Sequence, residues 1–281
     1  MGSVLATLLD ASYQLHPDDL PALVASQLTT LGGSDGQIYL VDLDQRTLVS
    51  LPGGPLVDPP VLSVDATLPG RGFRSVGVVS TEAPGGRRLW FPLLDGGDRV
   101  GLLAVTAANE DPAVVAGFEK VAALVAQLLV TKSQYGDGFV RARRRREVNL
   151  AAELRWALLP PLTCSAGAVT IAGVLEPAYE IAGDAFDYSV DGDTAHVAIV
   201  DAMGHGLEAS RIANLAVCAY RNARRRGLGM EPAFQLMDEA VADQFGQERF
   251  LTGQLVQLSL STGVLRLLNA GHPRPILLRG N

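Results

Sequence analysis

Residues 195–206 read AHVAIVDAMGHG, and this stretch decides how the C-terminal half of the chain folds. Its first half is dense in small and β-branched residues, which predicts a buried strand. Asp201 ends that strand, and Gly204 and Gly206 then allow the backbone to turn sharply and to approach a neighbouring group closely. A long helical pattern follows and stops at Gly227, a favourable helix terminator. A strand that places an aspartate in a glycine-rich turn before a helix indicates a functional loop.

A second acidic stretch lies just upstream, where residues 180–188 read EIAGDAFDY. A hairpin turn at 191–193 joins it to the strand, so we expect Asp184 and Asp201 at one end of a sheet. Converging carboxylates repel each other, and such pairs persist where a cation or a shared proton lies between them. Oxygen ligands suit Mg²⁺ or Mn²⁺, which can activate water for phosphoryl displacement. From spacing alone, a turn or a helix cap explains Asp184 and Asp187 equally well.

Four ordered motifs over residues 158–281 resemble the metal-dependent protein phosphatase (PPM) superfamily, in its SpoIIE-like and RsbU-like branch. Residues 158–161, LLPP, are similar to the LLP that opens that domain, and residues 180–188 resemble its GGDFYD-like motif. Residues 201–206 resemble the DG(M/S)GHG motif, and residues 269–275, NAGHPRP, resemble the NAGHPPP turn. The resemblance implies an α-β-β-α sandwich and hydrolysis of phosphoserine or phosphothreonine by metal-activated water, without a phosphoenzyme.

The resemblance assigns metal ligands residue by residue. Asp184 matches the first metal-binding aspartate, and Asp201 matches the aspartate that bridges two Mn²⁺ or Mg²⁺ ions. Ala202 stands where the family has a glycine whose carbonyl oxygen binds one ion. Because a carbonyl ligand needs no particular side chain, Ala202 remains a predicted ligand, although it departs from the family pattern.

The four histidines of the chain carry weaker signals. His205 lies between two glycines and is compatible with a general acid, but a structural role is favoured. His272 lies in a Pro/Gly turn, where we expect a structural role. His196 in a strand and His16 before a proline suggest no function.

Two further aspartate motifs of the family, TDG(L/V)TE-like and DDxT-like, lie beyond the NAGHPPP turn, whereas the chain ends at Asn281. We therefore expect a phosphatase domain, residues 162–281, that is truncated at its C-terminus and has an exposed sheet edge. The alternative is a catalytically inactive sensor or protein-interaction module.

The N-terminal pattern of helix, antiparallel strands and closing helix resembles a GAF domain over residues 1–132, with a PAS-like domain as the near alternative. The closing helix is predicted at residues 111–132, where apolar residues recur at helical spacing. Residues 71–74 and Trp90 are candidate ligand-pocket residues, although Trp90 beside Phe91 favours packing in the core.

A helical linker is predicted over residues 133–161, and it contains a run of basic residues at 141–146, RARRRR. The run suggests a nucleic-acid-binding regulator as a rival function. It is short and without aromatic residues, and the chain has a net charge of -7, so a solvated helix face is favoured. We expect a homodimer through the GAF-like domain and this linker.

Composition fits two globular domains of the α+β class: 281 residues, 48% of them hydrophobic. The sequence shows no signal peptide and no uninterrupted apolar run long enough for a membrane span, which predicts a cytoplasmic protein. Cys164 and Cys218 lack zinc-site spacing and are expected to be reduced. The resemblance implies a phosphorylated regulatory protein as partner, with an anti-sigma factor antagonist of the STAS type as the candidate.

Overall fold

The computed structural model describes residues 2–176, 178–180 and 183–279, and the chain consists of two compact units, Met1–Arg146 and Glu147–Asn281. Both units combine helices with antiparallel sheet, which confirms the predicted α+β class. Each unit is described by itself below.

The N-terminal unit is built on an antiparallel sheet with the strand order β3-β2-β1-β6-β5-β4. Its strands are β1 (Gly33–Val41), β2 (Thr47–Ser50), β3 (Leu62–Ser63), β4 (Val79–Ala83), β5 (Gly86–Asp95) and β6 (Asp98–Ala107). Its helices are α1 (Gly2–Ser12), α2 (Leu20–Thr30), α3 (Leu68–Ser75), α4 (Pro112–Lys132) and α5 (Gly138–Arg143).

Both faces of this sheet are buried, which explains why β1 reads as an almost continuous apolar run. Ile38 and Leu40 point to the larger core, where Leu28 of α2 and Phe118 of α4 are fully buried. The alternate residue Tyr39 points to a second, smaller cluster on the other face. A strand buried on both sides cannot alternate between apolar and polar residues.

The candidate ligand-pocket residues lie in or beside that smaller cluster. Trp90 packs against Tyr39 with ring centroids 5.4 Å apart, and the guanidinium of Arg88 lies 5.4 Å from the Trp90 ring. Arg74 on α3 forms an exposed ion pair with Asp65. Trp90 therefore occupies the core, as its apolar neighbours in the sequence favoured.

One helical segment, Pro112–Tyr135, is long and apolar enough to cross a membrane by length and composition. No uninterrupted apolar run of that length was predicted, because Glu119, Lys120 and Lys132 interrupt the stretch. Phe118, Val121 and Val125 of this helix are fully buried against the sheet. The segment therefore has the burial of a core helix of a globular domain.

The predicted linker differs from a single connecting helix. A 3₁₀ turn at Ser133–Tyr135, helix α5 and a short helix α6 (Leu150–Trp156) are separated by extended backbone near Arg144. Within the N-terminal unit, Arg143 Nε donates to the Val41 carbonyl at 2.9 Å, and Arg146 pairs with Asp44 at 3.0 Å. Part of the arginine run is thus engaged by the N-terminal unit itself.

The C-terminal unit is built on a second antiparallel sheet in the order β12-β11-β10-β9, with a separate β7–β8 hairpin. Its strands are β7 (Thr163–Ala166), β8 (Val169–Ala172), β9 (Asp184–Asp191), β10 (Thr194–Ala202), β11 (Leu251–Ser259) and β12 (Leu265–Ala270). Helices α7 (Gly206–Arg225) and α8 (Met230–Phe245) lie on one face, where Val200, Ile212 and Met237 are buried together. The described residues thus form one sheet and one helical layer of the predicted sandwich.

A buried ion-pair cluster fastens this sheet to α7. The side chain of Asp187 is 2% exposed and contacts Arg221 at 2.7 Å and Arg224 at 2.9 Å. Arg221 also donates to the Leu158 carbonyl at 2.6 Å, so the end of the α6 segment is held at the same point. Asp187 is neither the turn residue nor the helix cap that spacing alone allowed, but a structural anchor in a strand.

We expect Asp187→Ala to lower the free energy of unfolding of the C-terminal unit by about 3 kcal/mol, because two partly buried guanidinium groups lose their counter-charge. Denaturant titration followed by Trp156 fluorescence, in a Trp90→Phe background, measures this change. The control is Glu208→Ala, which removes an exposed pair with Arg249 and should cost less than about 1 kcal/mol. Equal effects of the two variants would contradict the anchor role.

Val76 ends α3 in the left-handed conformation, with φ 55° and ψ 37°, which is unfavourable for a β-branched residue. We expect Val76→Gly to stabilise the N-terminal unit by about 1 kcal/mol, because glycine adopts this conformation without the steric cost. Val78→Gly, at a neighbouring residue of similar exposure without positive φ, should not stabilise the unit. Denaturant titration followed by Trp90 fluorescence, in a Trp156→Phe background, measures the free energy of unfolding of both variants.

Candidate functional site

The two candidate aspartates lie directly opposite each other on neighbouring strands. Asp184 opens β9 and pairs in register with Asp201 near the end of β10. Both residues are exposed on the sheet face away from the helices, whereas the adjacent pair, Ala185 and Val200, points into the core. Directly opposed residues in an antiparallel sheet have Cβ atoms about 5 Å apart. The structure therefore brings the two predicted ligands together.

A close backbone contact at Gly183 fixes this pairing. The Ala202 amide donates to the Gly183 carbonyl at 3.1 Å. The Ala202 carbonyl oxygen lies so near that a Cβ at residue 183 would be 2.1 Å from it. Only glycine fits before Asp184 for this reason. The carbonyl that the sequence analysis assigned to a metal lies against the neighbouring strand, and its role as a ligand stays a prediction.

The Asp184 carboxyl is electrostatically strained. Although the residue is exposed as a whole, partial desolvation raises its pKa, and the adjacent charge of Asp201 raises that pKa further. Arg155 and His272 lower the Asp184 pKa by smaller amounts. The two facing carboxylates therefore repel each other more than the nearby positive charges compensate. They provide oxygen ligands for a divalent cation, which would neutralise their negative charge.

Arg155 of α6 is a buried cation close enough for its charge to act on Asp184. It is 1% exposed, and burial lowers its pKa to about 10 while Asp184 raises it. Its guanidinium donates to Asn214 Oδ1 and, at 3.5 Å, to the Ser210 carbonyl, both on α7. Its Nε is buried and has no hydrogen-bond partner among the residues that the structure describes. Sequence analysis missed Arg155, because a single arginine in an amphipathic helix normally lies on the solvated face.

The glycine-rich turn after β10 has the predicted geometry. Gly204 and Gly206 have φ values of 90° and 70°, which an L side chain rarely adopts. His205 between them is exposed at the start of α7, and its side chain makes no capping hydrogen bond. The turn therefore leads Asp201 directly into the helix that carries Asn214 and Arg221.

His272 lies in the same row as the aspartates, which sequence analysis did not foresee. Thr252 of β11 pairs in register with Asp201, and its hydroxyl is 3.0 Å from His272 Nδ1. Strand pairing between distant segments creates this proximity, so the local pattern of a Pro/Gly turn gave no signal for it.

A cleft of about 520 Å³ begins beside Asp184 on the exposed sheet face. Its walls are mostly apolar and come from the segment after β8 and from β9 and β10; Val174, Phe186, Val197 and Ile199 are among them. An apolar cleft next to a charged pair is suited to a ligand that has both an apolar surface and a charged group.

The donor set fits an oxygen-ligated cation only in part. Among the described residues, no group of three or more His, Cys, Asp or Glu side chains is placed to hold a metal ion. Ile181 and Ala182 of the predicted motif lie outside the described residues. Asp184 and Asp201 are thus two candidate ligands of a site.

Comparison with protein families supports the C-terminal resemblance. The family model "Stage II sporulation protein E (SpoIIE)" matches residues 191–281, which include Asp201 and His272. A search of curated proteins gives no match to this chain. The C-terminal resemblance thus has the support of a family model over residues 191–281, which is less than half of the chain.

Several solved structures are similar to parts of the chain. The GAF-B domain of DevS from Mycobacterium smegmatis is 21% identical, with 42% of this chain and 96% of that chain covered and a TM-score of 0.36. The RsbU and RsbW domains of Rv1364c from Mycobacterium tuberculosis are 27% identical, with a TM-score of 0.31 and 33% of this chain covered. This chain spans about a quarter of that second protein, 26% of its length. PelD from Pseudomonas aeruginosa PAO1 is 16% identical over 97% of this chain and 92% of its own, with a TM-score of 0.34.

We expect Asp184→Asn to raise the melting temperature of the metal-free C-terminal unit at pH 7. The folded-state pKa of Asp184 is raised, so the folded state binds more protons just above the ordinary pKa of 3.8, and stability falls as pH rises through that window. The gain should therefore vanish near pH 3, where the carboxyl is protonated in both states. Melting curves in a chelator test this, with Asp191→Asn on the same strand as control. A lower melting temperature of Asp184→Asn at pH 7 would contradict the inference that Asp184 and Asp201 repel each other in the folded state.

Proposed function

We propose that this chain, with its GAF-like unit and SpoIIE-type segment, is a metal-dependent protein serine/threonine phosphatase. The observation that carries the proposal is the facing pair of Asp184 and Asp201 at the exposed end of β9 and β10. The SpoIIE match over residues 191–281 supports the same reaction class.

In this proposal Asp184 and Asp201 hold Mn²⁺ or Mg²⁺, two ions being expected in a complete domain, with the Ala202 carbonyl as a further ligand. A bound cation of this kind makes water nucleophilic at neutral pH and stabilises charge on the phosphoryl oxygens. The chain's own contribution is orientation, because strand register and Gly183 hold the two carboxylates on one face. The apolar cleft beside Asp184 would receive the protein segment that carries the phosphorylated residue.

The proposed substrate is a phosphorylated regulatory protein, with the STAS type as the candidate class, and the proposed setting is cytoplasmic. The GAF-like unit would control the phosphatase segment, and a homodimer through that unit and the linker is part of the proposal. Helix α6 supports such control. Its backbone carbonyls at Ala151 and Leu154 accept hydrogen bonds from Ser210 at 3.1 Å and from Asn214 at 3.3 Å, both on α7.

A catalytically inactive interaction module is the second candidate. Its specific support is that the described residues bring together two acidic side chains rather than three or more. The two functions differ in one measurable property, which is turnover dependent on both Mn²⁺ and Asp201.

We expect the chain to hydrolyse p-nitrophenyl phosphate in the presence of Mn²⁺, and Asp201→Asn to lose at least about 100-fold in kcat/KM. Loss of a group that only orients a metal ligand already costs up to about 100-fold, and a direct ligand should cost no less. Steady-state kinetics with and without Mn²⁺ provide the measurement, and calorimetry gives Mn²⁺ affinity for the same proteins.

The matched control is Asp191→Asn, which removes an exposed carboxylate at the opposite end of β9. It should keep full activity and Mn²⁺ affinity. Folded wild-type protein without Mn²⁺-dependent turnover would favour the inactive module. Equal losses in both variants would show that Asp201 has no specific role.

A further inference from the structure

The turn that follows β12 is rigidly held, and it carries His272. Asn269 accepts from the His272 amide at 3.0 Å through Oδ1, and its Nδ2 donates to the His272 carbonyl at 2.9 Å. Gly271 has φ 69°, which permits the reversal, and it forms an isolated parallel bridge with Gly253. The backbone of His272 therefore has a fixed position beside β11.

Strand register places this histidine at the end of a row that crosses the sheet. Asp184 pairs with Asp201, Asp201 pairs with Thr252, and Thr252 contacts His272 Nδ1 at 3.0 Å. Directly opposed residues of an antiparallel sheet lie on the same face. The row therefore joins two carboxylates, one hydroxyl and one imidazole on the exposed face.

The His272 ring is close enough for its charge to lower the pKa of Asp184. The charged side chains in this row are those of Asp184 and Asp201. Thr252 and Asn269, which contact His272, are neutral. Nε2 makes no hydrogen bond to any residue that the structure describes, whereas Nδ1 is occupied by Thr252. In the half-buried ring, Nδ1 therefore contacts Thr252, and Nε2 is available to bind a ligand.

We propose that His272 binds the phosphoryl group of the substrate, with Thr252 donating to Nδ1 and thereby holding the proton on Nε2, which donates to a phosphoryl oxygen. This inference rests on the proposed phosphatase function, and it assigns the imidazole a place in that site. A neutral imidazole with this tautomer is a donor without any change of charge.

The chemistry of the row explains why a donor is needed there. A phosphoryl group is anionic, and Asp184 and Asp201 would repel it unless cations and hydrogen-bond donors offset their charge. Arg155, the buried cation near Asp184, directs its Nη1 and Nη2 donors at α7. The half-buried His272 ring offers an N–H group at a nitrogen that no described residue occupies.

The competing explanation is that the Thr252–His272 contact only stabilises the turn. If His272 only stabilised the turn, its replacement by alanine or by glutamine would have the same effect. Each replacement would lower the stability of the protein rather than its affinity for phosphate. Variants that keep or remove a hydrogen-bond donor at residue 272 therefore separate the two roles. Variants of Thr252, which contacts the His272 ring, separate them as well.

The first measurement is titration of the ¹⁵N-histidine-labelled, Mg²⁺-saturated chain with inorganic phosphate, followed by NMR of the ring nitrogens. We expect the His272 Nε2 signal to shift on binding. His272→Ala should weaken phosphate binding about tenfold, His272→Gln should retain part of the affinity through its amide donor, and Thr252→Ser should bind better than Thr252→Val. Mg²⁺ affinity and melting temperature should stay within error of wild type in His272→Gln, and His196→Ala controls for loss of a histidine elsewhere in the sheet.

The second measurement is KM and kcat for p-nitrophenyl phosphate in the same variants. Phosphate binding at His272 without turnover would uphold this inference and overturn the proposed phosphatase. Turnover that is unchanged in His272→Ala, with no shift of its Nε2 signal, would overturn this inference and leave the phosphatase standing. Equal losses in the Ala and Gln variants, with lowered melting temperatures, would assign His272 to the turn and overturn the inference.

Discussion

The antiparallel register of β9 and β10 is the constraint on which the candidate site depends. Asp184 faces Asp201 only in this register, and a slip of one residue would turn Asp184 to the helical face. Asp187, three residues further along β9, points to that helical face and is held by Arg221 and Arg224. The buried ion pairs of Asp187 on the helical face therefore favour the register in which Asp184 and Asp201 lie on the exposed face. A buried ion pair often adds little stability over well-packed apolar residues, and in some proteins it specifies one arrangement of the chain, which is the role that we assign to Asp187.

Helix α7 connects the parts of the C-terminal unit that matter for function. Its first residue follows the turn after Asp201, and its polar residues Ser210 and Asn214 contact α6. Arg221, two turns further along, contacts both β9 and the end of the α6 segment. Displacement of α6 would therefore remove Arg155 from the neighbourhood of Asp184 and uncover buried polar groups on α7 at the same time. Any coupling between α6 and the acidic pair has this physical route.

The N-terminal unit shows how far local patterns reach. Its closing helix was predicted at residues 111–132 and lies at Pro112–Lys132, because clear periodicity marks it. Helix α3 was missed, since Pro69, Gly70 and Gly72 made its segment read as a loop. Thr67 caps that helix by accepting from the Gly70 amide at 3.0 Å, and Phe73 is buried beneath the sheet. Tertiary packing of one aromatic residue outweighed a composition that disfavours helices.

The sequence by itself determined the α+β class, the order of most elements and the identity of the acidic pair, because strand and turn signals are local and the motifs are contiguous. It did not determine the roles of Asp187, Arg155 and His272. Asp187 lies in the same motif as Asp184, yet side-chain alternation along β9 sends it to the helices. Arg155 is buried because α7 offers Asn214 and the Ser210 carbonyl as acceptors. His272 joins the acidic row because β11 lies between two distant segments and places Thr252 beside Asp201. Contacts between residues far apart in the chain depend on sheet register and helix packing, which only the tertiary structure decides.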